Sequence, residues 1–321
     1  MLSLECDSMT HIAKSASLFS SHRLRAQGGL TLIELMVSVV IGLVLAIIAS
    51  STYLYSKQAY NVVSESSQME ESGRFALSLL ARNIQSAGYV SLNMKASGPQ
   101  GPSDIKIRGC DHGMVSPKSA TSTADLACAA STPVGSTRSA SIGVFYDTEA
   151  YTASGARFQG FDCLGQSAVE IPSTSGGSST FQVRSYFFVS SSTVQTAAGT
   201  TTMGQLSCVT DPTTAAAATG TFQAQPLIPG VQQLAVTYLL PSGLEKNTAQ
   251  KETTAAVLQA TNTWAQVAAV ELCVLTKSIQ ASGNDMATQV TDCYGNSFTP
   301  PPQQSYRRFT TTVNLRNRTP L

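Results

Sequence analysis

Charge is scarce in this 321-residue chain. Asp, Glu, Lys and Arg make up 12% of it and the formal net charge is +1, where an ordinary soluble domain carries roughly a quarter of its residues charged. Such a balance provides no global field to draw in nucleic acid or anionic lipid. Histidine is almost missing: His11, His22 and His112 are the three present, and two of them precede residue 30. That argues against a His-based zinc site or a Ser–His–Asp triad. No C-x-x-C knuckle, no G-x-S-x-G and no P-loop occurs, which removes the common motif-bearing enzymes. Asp292 stands beside Cys293, but no D-x-D-x-D-G calcium loop surrounds it. Neither a metal nor a cofactor is expected. Proline is absent before Pro99, so no proline interrupts a helix in the first 98 residues.

What is there begins with an apolar run. From Leu30 to Ala49 the only charged residue is Glu34. A helix of that length spans roughly 30 Å, one hydrocarbon core. Arg23 and Arg25 lie on its N-terminal side, which predicts a cytoplasmic N-terminus and a translocated C-terminal bulk. Three readings compete. The run is the core of a secretory signal cut after it, with Val44–Ala46 as the site; or a plain signal anchor; or the start of a mature chain whose leader is cut before it. Glu34 discriminates. A carboxylate within such a run costs on the order of 3 kcal/mol on insertion scales, and the first two readings gain nothing in return. Cleavage after Gly29 would free an α-amine at Leu30, four residues before Glu34. An amine and a carboxylate attract strongly in a dry setting. Between stacked helices that attraction would also set axial register.

Seven cysteines occur: Cys6, Cys110, Cys128, Cys163, Cys208, Cys273 and Cys293. Removing the leader leaves six, all on the translocated side, which points to disulfides in an oxidising compartment. Sequence leaves the pairing open. Joining near neighbours gives Cys110–Cys128, Cys163–Cys208 and Cys273–Cys293; the other reading is buried free thiols.

Helical periodicity continues past the bilayer run. Ala76, Leu80, Ile84 and Ala87 recur at helical spacing, with Glu70 and Arg74 as an i,i+4 pair. Gly73 is read as a bend and Gly88 as the C-terminal cap, so one helix is expected from Leu30 to near Ala87. Beyond it, "LNMKASGPQGPSD" reads as a linker. Ser/Thr/Ala/Gly-rich stretches at 119–141, 172–180, 190–202 and 210–221 read as loops. Strands are expected at 141–146, 180–190, 230–240, 264–278 and 306–316, forming one antiparallel sheet against the helix. The fold class is therefore α+β, a long N-terminal helix with an antiparallel β-sheet head. The expected divisions are a leader over 1–29, a membrane or filament-core helix over 30–50, its amphipathic continuation over 51–88 and the head over 89–321. Trp264 reads as a core aromatic, Arg307 and Arg308 as a solvated strand end, and Arg74 and Arg82 as surface ion-pair partners.

"GGLTLIELMVSVVIGLVLA" resembles the class III signal of type IV pilins and pseudopilins. The likeness is nearly complete over Gly29–Leu35, with leucine in place of the common phenylalanine at the first mature position. "ESGRFALSLLARNIQSAGYV" (71–90), "LIPGVQQLAVTYLL" (227–240), "TWAQVAAVELCVLTKS" (263–278) and "RRFTTTVNLRNR" (307–318) resemble, in order, the landmarks of PilW-type minor pilins. One departure is that Gly109–Cys110 comes about twenty residues later than the family's Gly-Cys. The resemblance implies a prepilin peptidase cut between Gly29 and Leu30, methylation of the Leu30 amine and a subunit-register role for Glu34. It also implies insertion in the inner membrane with a periplasmic head, then a place in the fibre or at its tip. The partners implied are the peptidase, other minor pilins, the major pilin, the inner-membrane assembly platform and a large tip adhesin, serving adhesion and twitching motility. Direct nucleic-acid binding is not among the implied roles. A J-type minor pseudopilin of type II secretion shares the leader, helix and β head and is the rival. The leader is long for the family, and Met9 is an alternative start to Met1.

Overall fold

The computed structural model describes residues 29, 31–89, 106–119, 126–132, 137–148, 151–153, 156–158, 160–166, 169–171, 180–196, 199–210, 222–241, 251–279 and 289–317. Most of the expected leader, the expected linker after the helix and large parts of the expected Ser/Thr-rich loops lie outside these residues. The chain divides into two units, Met1–Leu54 and Tyr55–Leu321.

Helix α1 runs Leu32–Ser86, 55 residues, close to the expected span. Its cap is Gly88, at φ +70°, a conformation that glycine adopts without strain. The Gly88 N–H donates to Phe145 O at 2.8 Å. The last carbonyls find a distant donor: Asn317 Nδ2 lies 3.3 Å from Gln85 O, 3.5 Å from Ser86 O and 3.3 Å from Ala87 O. Helix ends leave such carbonyls without intrahelical partners, so a residue near the C-terminus of the chain completes α1.

The strands follow in chain order. They are β1 (Ile107–Cys110), β2 (Ser141–Thr148), β3 (Tyr151–Ala153), β4 (Ala156–Phe158), β5 (Val169–Ile171), β6 (Thr180–Thr196) and β7 (Gly199–Thr210). Then come β8 (Gln223–Pro229), β9 (Val231–Leu240), β10 (Lys251–Thr253), helix α2 (Ala255–Thr261), β11 (Ala269–Lys277), β12 (Val290–Thr291), β13 (Ser297–Phe298) and β14 (Tyr306–Asn314). One six-stranded sheet has the order β1-β2-β6-β7-β8 with β5 beside β6; a second has the order β10-β9-β11-β14. The pairs β3–β4 and β12–β13 are small hairpins, and every ladder is antiparallel. The expectation of one sheet is thus corrected to two main sheets. The chain passes from the first to the second at Gly230, whose φ of +82° turns β8 into β9. Its N–H bonds Gly204 O at 3.0 Å and its carbonyl accepts from Lys277 N at 2.8 Å, so one residue is tied to both sheets.

Two further corrections concern local chemistry. Within the stretch 190–202, expected as a loop, residues 190–196 and 199–202 are strand: they form the end of a long β6–β7 hairpin, with Ser190 opposite Gln205 and Thr196 opposite Gly199. Threonine and valine suit an extended backbone, and low complexity hid that preference. Trp264–Gln266 is a short 3-10 turn and the strand begins only at Ala269. That turn buries Trp264 edge-on against Tyr238, with ring centroids 5.2 Å apart. Trp264 Nε1 donates to Gln259 Oε1 at 3.2 Å.

One apolar core joins the head's layers. Ala76, Leu80, Ile84 and Ala87 come from α1 and its cap; Ile142, Phe187 and Leu206 from the first sheet; Leu234, Tyr238 and Leu272 from the second. Residues buried on α1 are spaced 4, 4, 3, 4 and 4 from Glu65 to Ile84, the stripe of a helix buried on one side.

Candidate functional site: the first half of the long helix

Gly29 is exposed and belongs to no helix or strand, while Leu30 lies outside the described residues. Thr31 precedes the first helical residue. The Glu34 N–H bonds Thr31 O at 3.0 Å and approaches Thr31 Oγ1 at 3.4 Å. Thr31-Leu32-Ile33-Glu34 therefore has the spacing of a capping box, in which a hydroxyl serves the orphan amide three residues on. Glu34 sits in the first turn, where the helix macrodipole favours a carboxylate.

From Leu32 to Ile48 every large apolar side chain is exposed, from Leu32 at 78% to Val44 at 50%. An 18-residue window within α1 reaches a mean hydropathy of 2.8 with none of it buried. A segment that is apolar all round has no polar face to offer water; lipid or other apolar helices are its suitable surroundings. Three hydroxyls in and just beyond the run turn inward: Ser38 Oγ donates to Glu34 O at 2.6 Å, and Ser51 and Thr52 both donate to Ile48 O at 2.8 Å. This satisfies groups that a dry environment penalises. Tyr53, Tyr55 and Tyr60 follow, all more than 60% exposed, in the order that an interfacial aromatic belt takes at the end of an apolar span.

The second half of α1 is built for the head. Gly73 is buried where the Phe309 ring of β14 crosses the helix, and a Cβ there would overlap the ring. The structure gives this glycine a close-approach role in place of the expected bend. Glu65, 5% exposed, accepts the Ile279 N–H at 2.9 Å. Glu70 joins Arg74 at 2.5 Å and Arg307 at 3.1 Å, so the expected helix pair extends to β14 and Arg307 is no mere solvated end.

Three disulfides join Cys110 to Cys128, Cys163 to Cys208 and Cys273 to Cys293, the near-neighbour pairing. Two of them staple the same turn. Asp162-Cys163-Leu164-Gly165-Gln166 and Asp292-Cys293-Tyr294-Gly295-Asn296 share the pattern D-C-x-G-[Q/N]. In each, one aspartate oxygen accepts amides two and four residues on, at 2.8 and 2.9 Å for Asp162 and at 2.8 Å twice for Asp292. In each, the glycine has positive φ, +76° and +85°. Burial alone would raise the Asp292 pKa, but bonds from Asn296, Tyr294 and Gln233 outweigh it and hold the carboxyl below its usual range. A comparison of the sequence with itself shows this repeat; a search for metal spacing at Asp292 passes over it. Among the described residues no cluster of three His, Cys, Asp or Glu is arranged to hold a metal.

Residues 186–317 match the family model described as Type IV Pilus-assembly protein W. Residues 24–50 match the model of the prokaryotic N-terminal methylation motif, the prepilin signal. No curated protein and no solved structure matches the chain.

Proposed function

We propose that this chain, a PilW-type pilin of the type IV pilus by its two family matches, works as a minor pilin that primes fibre assembly and ends in the tip complex. The observation that carries the reading is the coincidence of three features on one segment. A methylation motif covers residues 24–50, the helix there is apolar on every side, and Glu34 stands in its first turn.

On this reading prepilin peptidase cuts between Gly29 and Leu30 on the cytoplasmic face, and the Leu30 amine is methylated. The apolar half of α1 holds the subunit in the inner membrane with the head in the periplasm. During assembly it leaves lipid for a bundle of other pilin helices, where Glu34 meets the terminal amine of a neighbour. Gly29 lets the peptidase approach the backbone closely. Leu32, Ile33, Leu35, Val37, Val39, Val40, Ile41 and Leu43 supply the packing surface. The partners are the peptidase, other minor pilins, the major pilin, the assembly platform and a large tip adhesin; adhesion and twitching are the outputs. The PilW match over the head favours the pilus over the J-type pseudopilin.

Intact mass and N-terminal sequence of the protein from its host test the cut: the reading expects a methylated chain starting at Leu30. A chain starting at Ile47, or one retaining residues 1–29, overturns it. Glu34→Ala should be cleaved yet be depleted from sheared fibres, and normal incorporation removes the register role.

A further inference from the structure

The head's sheet edges differ in one respect. Most are blunted. Strand β1 has four residues and exposes Arg108; β8 contains Pro226 and Pro229; β10 is three residues with Lys251 and Glu252; β14 carries Arg307 and Arg308. Short length, proline and charge are the devices by which native sheets discourage strand addition. The β6–β7 hairpin uses none of them. Its partner β2 stops at Phe188 and β5 covers only Thr180–Gln182, so β6 runs on from Val189 to Thr196 with β7 alone beside it. On the far side the pairing with β8 ends where Pro229 stands opposite Gln205. The strand residues from Val189 to Thr202 include no charge and no proline.

The backbone direction along this ribbon follows from two contacts. Lys118 Nζ donates to Ser191 O, so Ser191 faces away from β7, and Thr193 and Gln195 face the same way by the two-residue period of a strand. Opposite them, Thr202 O accepts from Lys277 Nζ at 3.4 Å. Ser191, Thr193 and Gln195 also have exposed side chains. Among the described residues Lys118 is the side chain that reaches the β6 edge; at the β7 edge Lys277 is joined by Gly230 N–H, which donates to Gly204 O at 3.0 Å, and by Gln232 Oε1, which accepts from Gly204 N–H at 3.2 Å.

We propose that the β6 edge, Val189–Gln195, adds a β-strand from the head of a neighbouring pilus subunit. The inference rests on the assembly reading above. An edge of about seven residues buries far less than the roughly 1,200 Å² of a stable free complex. It therefore suits heads already held adjacent by their helices, where effective concentration is high. The absence of charge selects an uncharged incoming strand recognised through its backbone.

The test uses the full chain in its host. Thr193→Pro removes an outward N–H and leaves the pairing with β7 intact, whereas Val194→Pro breaks the ribbon itself. Thr193→Pro should be processed and retained in the membrane like the wild type, yet fall about ten-fold in sheared fibres. A photocrosslinking residue at 193 should capture another pilus subunit through one of its strands; the same residue at Thr261, on α2, should not. Equal incorporation of Thr193→Pro, a crosslink between two copies of this chain, or equal crosslinking from both positions overturns the proposal. If the wild-type chain is itself absent from fibres, it is the assembly reading that fails.

Discussion

The two halves of α1 share a backbone and almost nothing else. From Leu32 to Leu54 no residue is buried; from Tyr55 to Ser86 a stripe of six is. Gly42 has nothing within 4 Å of where a Cβ would stand, while a Cβ on Gly73 would enter the Phe309 ring. Leu43 is 58% exposed and Leu80 fully buried. The same residue types therefore do opposite work along one helix. In the first half they present an unfilled surface to be met by something outside the chain. In the second they are already filled by the head, so identity is dictated position by position.

Paired substitutions can break or sharpen this contrast, with unfolding of the full chain in detergent followed through Trp264, the sole tryptophan. The largest effect is expected at Leu80. Leu80→Ala should destabilise the head by about 2–5 kcal/mol, lowering Tm by roughly 5–15 °C, whereas Leu43→Ala should leave that transition unmoved. Equal shifts would erase the distinction between the halves. Next, Gly73→Ala should cost about 1–3 kcal/mol through the collision with Phe309. Gly42→Ala should be neutral for the head and favour the helix by about 0.5–1 kcal/mol. A stabilised Gly73→Ala would mean that Phe309 repacks without strain. Asn317→Ala should cost about 1 kcal/mol, and hydrogen exchange should quicken in the last turn of α1 but not in its first. Smallest is Arg307→Ala, at most about 0.5–1 kcal/mol for a half-exposed ion pair, fading as salt is raised; a salt-independent loss would point instead to its stacking over Phe309, whose ring centroid lies 5.7 Å away.

Much of this was legible beforehand because it is local. The apolar run, the lone carboxylate after a glycine pair and the 3–4 spacing of Ala76, Leu80 and Ile84 are each read within a single helix. The strands at 141–148, 231–240 and 306–314 announce themselves by β-branched and aromatic residues. Misreadings arose where a signal depends on distant partners. "SSSTVQT" is uncharged and repetitive, and only pairing with Gly199–Gln205 makes it a strand. Gly73 reads as a helix weakness until Phe309 is placed on it. Glu65, a polar residue in the apolar stripe, makes sense once Ile279 N–H is found opposite. The D-C-x-G turns repeat in the sequence, where Asp292 is read for calcium alone; their meaning depends on which strand each cysteine reaches.

By itself the sequence determined a glycine pair followed by an apolar helix with one acid near its start, six cysteines beyond it and a β-rich remainder. These depend on composition and period, which neighbouring residues set among themselves. Tertiary structure decided that the strands divide into two main sheets at Gly230, that Asn317 closes the helix and that one hairpin keeps an unblunted edge. Those facts belong to pairs of residues far apart in the chain, and proximity in space arises only after the core has closed.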